Sequence, residues 1–342
     1  MMNEPAPQPA PPASGSGLPA RVWAALWRLE PFRHARWERV IIRFIFALLV
    51  WDTQTGWIAH WNDPPAALRG ILTYASRMDI RHDSQPHPNG IATLVDLTFF
   101  ADDRVEYPLR YAMGASLAAW VLGAPGALAL AIPVFLCLGS ATLNNSQGSI
   151  GHTAQGIHLA LLAAWLAGIY AWWQRRRGRE LKFGYHCGEL EIDWARQALV
   201  ATYVVSAISK LILSKGAWFA DAKFFALHVL KNNEMQYYNT LDPALRQLHW
   251  LPEWMLAHPV TCQWVFGLAL PLELLAFMAL RNRRAALLFG LALAAFHQSV
   301  TELTQLSFIF NKLLLITLLV TPWWWIARLL PGPSRQTPGF GR

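Results

Sequence analysis

Residues 260–300, VTCQWVFGLALPLELLAFMALRNRRAALLFGLALAAFHQSV, hold two long apolar runs separated by Arg281-Asn282-Arg283-Arg284. The hydrocarbon core of a bilayer takes about 20 apolar residues as a helix, with a range of roughly 17 to 25. The runs near 260–280 and 285–301 meet that length, and RNRR between them is a basic turn. This pair predicts the fold class: an all-α, polytopic integral membrane bundle.

Outward from this pair, similar runs recur near 39–57, 108–123, 126–143, 153–173, 194–213 and 305–327, giving about eight transmembrane helices. The second and third are short, GAPGA at 123–127 turns between them and Pro133 interrupts the latter, so a single re-entrant element is the alternative there. Composition agrees with lipid as the solvent, at 54% hydrophobic and 15% charged with 18 tryptophans. The formal charge of +8 does not point to nucleic acid, because the positive residues sit in short loops. Arg21, Arg28, Arg33, Arg36 and Arg39 precede the first run, RRRGRELK (175–182) follows the fourth, RNRR the sixth, and Arg328 and Arg335 the eighth. Eight spans put all four groups on one side. By the positive-inside rule that side is the cytoplasm, with both termini there and a bacterial inner membrane as the setting. Two long loops, about 58–107 and 214–259, then lie outside.

Residues 1–20 form a Pro/Ala/Ser-rich tail expected to be disordered, without the charged start and apolar core of a signal peptide. Residues 21–37, with Trp23, Leu26 and Trp27 among arginines, suit an interfacial amphipathic helix, and 328–342 read as a second disordered tail. Cys137, Cys187 and Cys262 show no metal or disulfide spacing.

Ionisable side chains inside membrane segments are costly and mark functional positions by default. Asp52, Lys210 and His297 come late in outward-running segments, while His152, His158 and Lys312 come early in inward-running ones, so all share the outer depth. Lys210, in YVVSAISKLILSKGAW (203–218), either snorkels to the headgroups or serves chemistry, and position alone leaves both open. His297 reads more readily as an interhelical hydrogen bonder than as a catalyst. Glu273 lies past the middle of its segment, toward the cytoplasm, as a buried structural partner. His82, Asp83 and His87 in RHDSQPHPNG read as a solvated turn, and no metal is expected.

SAISKLILSKGAW (206–218) resembles the small-residue, Lys-Leu and Trp motif of the horizontally transferred transmembrane (HTTM) domain, the membrane region shared with vitamin K-dependent gamma-carboxylases. The run from Leu270 to Leu315 resembles that family's Glu-containing helix, basic turn and His-bearing helix, and TLNNS (142–146) its asparagine pair. The resemblance covers roughly residues 38–327. It implies Lys210 and His297 as catalytic residues, Lys210 being the base, with Asn144, Asn145, Trp218 and Glu273 in substrate binding. It also implies a reduced, vitamin K hydroquinone-like quinone as cofactor, and membrane lipid or a lipophilic small molecule as partner. The implied chemistry is extracytoplasmic proton abstraction of carboxylase or epoxidase type, a lyase. Ser146 stands where the carboxylases carry a histidine, and the chain stops soon after its last span, so a protein substrate is not implied. The alternatives are a transporter or a non-catalytic scaffold binding a lipophilic ligand.

A lysine with its ordinary pKa of about 10.4 is no base at neutral pH, whereas one in a dry apolar recess can be. No acid lies within one helical turn of Lys210 on its own helix. Asn144, Asn145 and His297 are then candidate donors to an oxyanion.

Overall fold

In the computed structural model, residues 28–55, 84–148, 154–181, 184–243, 250–304, 306 and 308–329 are described, and among them the regular structure is entirely helical. The principal helices are α1 (Arg36–Thr55), α2 (Asp103–Val121), α3 (Gly126–Asn145), α4 (Gln155–Arg176), α5 (Cys187–Leu213), α6 (Phe225–Thr240), α7 (Trp250–Ala257), α8 (Pro259–Leu280), α9 (Arg283–Thr304), α10 (Ile309–Val320) and α11 (Pro322–Leu329). Five of them, α3, α4, α5, α8 and α9, are long and apolar enough to cross a membrane. The pair α10 and α11, bent by 44° at Thr321, makes a sixth if counted as one span.

Against the eight spans expected, five or six helices among the described residues meet the test of length and composition. Helices α1 and α2 occupy the first two expected places with 20 and 19 residues, yet they carry too much charge to be counted. The reason for α1 is its position. It packs against α2, α3, α4, α5 and α10, and its Ile42, Phe46, Leu49 and Val50 are buried in the main core. Its charged Glu38, Arg43 and Asp52 are buried as well, so an interior helix here is partly polar.

The GAPGA segment is a turn between two separate helices, with Gly123 at φ +109°, a conformation glycine adopts without strain. Helix α5 begins at Cys187, seven residues before the apolar run. His186 caps it, its Nδ1 accepting from Gly188 N at 3.2 Å while Glu189 accepts from His186 N at 2.8 Å. The extra turns carry Glu189, Glu191 and Asp193, each of which has a cationic partner in Arg33, Arg43 or Arg196.

The basic segments meet at one end of the bundle. Residues 28–35 form no helix; they cross this end as a strap, where an interfacial helix was expected, and residues 21–27 lie outside the described residues. Glu30 N donates to Arg281 O at 2.8 Å, Asn282 Nδ2 to Arg28 O at 2.7 Å, and Arg33 Nη1 to Gly184 O at 3.0 Å. Arg283 grips Glu38 through both amines at 2.7 and 2.9 Å and lies over the Trp324 ring. The tails 1–20 and 330–342 lie outside the described residues.

His34 in the strap gives this end a pH response. Its Nδ1 is 3.1 Å from Glu38, but burial, helped by the Arg283 and Arg196 charges, holds the imidazole below its ordinary 6.5 against the pull of Glu38. A base depressed in the folded state binds fewer protons than in the unfolded one, so its stability contribution is complete above 6.5 and is lost as pH falls below it. The apparent melting temperature should fall on acidification through this window, and His34→Gln should flatten that dependence.

Candidate functional site

The opposite half of α5 carries a row of polar groups on one face. Tyr203, Ser206 and Lys210 stand at positions i, i+3 and i+7, with the fully buried Ala207 between them. This face packs against α8, and Tyr203 reaches His297 of α9. Lys210 Nζ lies 2.7 and 2.5 Å from the two oxygens of Glu273, and Ser206 Oγ is 3.4 Å from the same carboxylate.

The expected difference in depth between Lys210 and Glu273 disappears for a geometric reason. Residues 194–205 of α5 lie beside Phe277 and Leu280 of α8, while 206 and 210 meet Glu273, so the helices run antiparallel. Side chains lean toward the N-terminus of their own helix, which tilts the lysine toward the basic end of the bundle and the glutamate away from it until they meet. Helix α8 is also uneven, changing from α to 3₁₀ geometry at Leu275, next to the carboxylate.

The dry recess expected around Lys210 is corrected by this pair. The recess was expected to hold no acid, whereas the Lys210 amine meets both oxygens of the Glu273 carboxylate, supplied by a different helix. The Lys210 side chain is also 24% exposed, against 5% for Glu273.

Just past α5, Lys215 at φ +52° and Gly216 at φ +83° reverse the chain. Ser214 Oγ accepts from Trp218 N at 3.0 Å, and the indole ends 5.2 Å from the Lys210 ammonium. Such a contact contributes about 0.5 to 2 kcal/mol depending on exposure. One helical face deeper, Tyr203 Oη and His297 Nε2 are 2.8 Å apart, and Phe296 and Phe308 enclose the imidazole. His297 Nδ1 and Trp218 Nε1 are both buried with no hydrogen-bond partner among the described residues.

Lys210, Glu273, Trp218 and His297 thus come together around α5, α8 and α9. The asparagine pair does not join them in the same way. Asn144 is exposed and Asn145 half-buried at the end of α3. Ser146, fully buried, ties that end to the 87–90 loop: its Oγ accepts from Asn89 N at 3.1 Å and its carbonyl from His87 N at 3.0 Å. Asp52 and His158 are buried elsewhere in the bundle, Lys312 donates to Gln298 at 2.5 Å, and Trp250 and Trp254 are exposed on α7. His82, Asp83 and His152 lie outside the described residues.

Sequence reasoning missed Tyr203. Its signal was the heptad spacing from Lys210, which puts both on one helical face. It also missed the buried cluster at the basic end, where Glu191 meets Arg43 at 2.6 Å, Trp120 Nε1 at 2.8 Å and Gly126 N at 3.2 Å. The fold and this site therefore define a helical protein with several helices long and apolar enough to cross a membrane and a polar cluster between three helices. Comparison with protein-family models, curated proteins and solved structures found no match to the chain.

Proposed function

We propose that this chain is a multi-pass membrane protein, with its basic end facing the cytoplasm, that binds the head of a lipophilic ligand at the polar row on α5, α8 and α9. The full eight-span count, with α1 and α2 as interior spans, belongs to the same reading. The observation that carries it is the pair of buried polar atoms, His297 Nδ1 and Trp218 Nε1, without a partner among the described residues and beside two satisfied pairs. Buried polar groups without partners are uncommon and call for a ligand, ion or water.

The resemblance to HTTM domains and vitamin K-dependent carboxylases makes a reduced quinone the ligand class to test first. When bound, it supplies ionisable hydroxyls at the end of an apolar tail. The residues present fit its recognition: the tautomer of His297 that accepts from Tyr203 at Nε2 carries a hydrogen on Nδ1, and Trp218 adds an indole donor. They do not fit abstraction by a lone lysine. In this reading Lys210 supplies a positive charge beside the ligand, and Glu273 is the acidic group able to take up a proton.

The change of helix geometry in α8 at the level of Glu273 favours a second reading, transport, since interrupted helices frame substrate sites in transporters. One purification tests both. Mass spectrometry of lipids extracted from the pure protein should find a redox-active aromatic lipid retained by wild type and lost about tenfold in a Tyr203→Phe/His297→Ala variant of unchanged helicity. Equal retention removes the reading, and vectorial uptake of a solute into proteoliposomes replaces it with transport.

A further inference from the structure

A cavity lies at the basic end, far along α5 from Lys210. It is a groove of about 810 Å³ between the first turns of α1, the α2–α3 turn, the last turn of α4 and the start of α5. Its walls are apolar, and Val40, Leu122 and Trp172 are exposed there by 45%, 89% and 47%. Four arginines line it: Arg36, Arg39, Arg43 and Arg175. The single carboxylate in its lining, Glu191, is already held by Arg43, Trp120 Nε1 and Gly126 N. Arg36 and Arg175 make no ion pair among the described residues, and Arg39 spends one amine on His34 O at 2.8 Å. The groove therefore presents uncompensated positive charge directly above an apolar wall.

We propose that this groove is a binding site for an anionic phospholipid, the phosphate lying among Arg36, Arg39 and Arg175 and an acyl chain running along Val40, Leu122 and Trp172. Charge complementarity selects the head, because the fourth arginine and the one acid neutralise each other. The apolar wall selects a lipid over free phosphate, which would leave Leu122 and Trp172 uncovered. The depth agrees, since Arg36 opens α1 and Arg175 lies in the last turn of α4, where headgroups meet helix ends. This site does not depend on the ligand reading at Lys210.

The test is native mass spectrometry of the full chain titrated with phosphatidylglycerol or phosphatidylcholine. Wild type should prefer phosphatidylglycerol by about tenfold or more, and Arg36→Gln/Arg175→Gln should lose about tenfold in its affinity. The charge-matched Arg177→Gln/Arg179→Gln, outside the groove, should change it by no more than about twofold. Leu122→Asp, at an exposed position, should reproduce the loss without touching an arginine, so a poorly folding arginine variant leaves the test intact. Millimolar inorganic phosphate should not displace the lipid. Equal loss in the two arginine variants, no loss in Leu122→Asp, equal binding of phosphatidylcholine, or displacement by phosphate alone would each overturn the assignment.

Discussion

Glu191→Ala is expected to destabilise the protein by about 3 to 5 kcal/mol, the usual cost of removing one member of a buried ion pair. The pair sits between α1 and α5, with Arg43 and Glu191 side chains 10% and 1% exposed and 2.6 Å apart. Four groups depend on it. Trp120 Nε1 and Gly126 N donate to the carboxylate, while Arg43 Nη1 donates to Trp120 O at 3.0 Å and lies over the indole. Without the carboxylate, Arg43 is an unneutralised charge in the bundle and two donors lose their acceptor. Gly126 shows how closely these parts approach, since a Cβ there would clash with Glu191 Oε1. Glu191→Gln keeps the shape and should cost less. Arg43→Met/Glu191→Leu removes both charges and should be closer to wild type than either alanine variant, because large losses arise from leaving one charge alone. Unfolding in mixed micelles, followed by tryptophan fluorescence, measures the order of these variants. An alanine variant as stable as wild type would mean that the carboxylate is solvated.

The second large effect concerns Lys210 and Glu273, where the two single substitutions should be unequal. Lys210→Ala leaves a carboxylate that is 95% buried without its cation and should cost about 3 kcal/mol or more. Glu273→Ala leaves an ammonium on a flexible stem that is already 24% exposed and can swing toward the interface, so it should cost less. Together they should be non-additive by about 1 to 3 kcal/mol, the range for side chains in contact. A neutral lysine in an apolar recess predicts the opposite order, with Lys210→Met at least as stable as wild type. Additive effects would separate the two residues in the working protein.

The apolar runs and basic turns revealed the class of fold, because lipid imposes a length and a hydropathy that can be read one residue at a time. They did not reveal α1 as a central helix, since Glu38, Arg43 and Asp52 make it look polar until their burial is known. The start of α5 was missed for the same reason: Glu189, Glu191 and Asp193 lie outside an apolar run yet inside the packed bundle. At the site, Lys210, His297 and Glu273 were legible as costly residues in apolar segments, and Trp218 only through the family resemblance. Their pairing was not, because partners on α8 and α9 stand 63 and 94 residues from their α5 contacts. The absence of an acid near Lys210 on its own helix held true locally and failed in three dimensions. The change in α8 geometry is equally invisible in PLELLAF, where Pro271 signals a disturbance but not its form.

The account rests on the polar row of α5, α8 and α9 being a place where a ligand sits. The most direct measurement is photo-crosslinking with a reduced-quinone analogue carrying a photoactivatable group on its ring, followed by peptide mapping of the labelled full chain. Label should concentrate on the peptides bearing Tyr203 to Trp218, Glu273 and His297, and unlabelled hydroquinone should compete it away. Label spread evenly over lipid-facing helices, or confined to the arginine-lined groove at the other end, would contradict it.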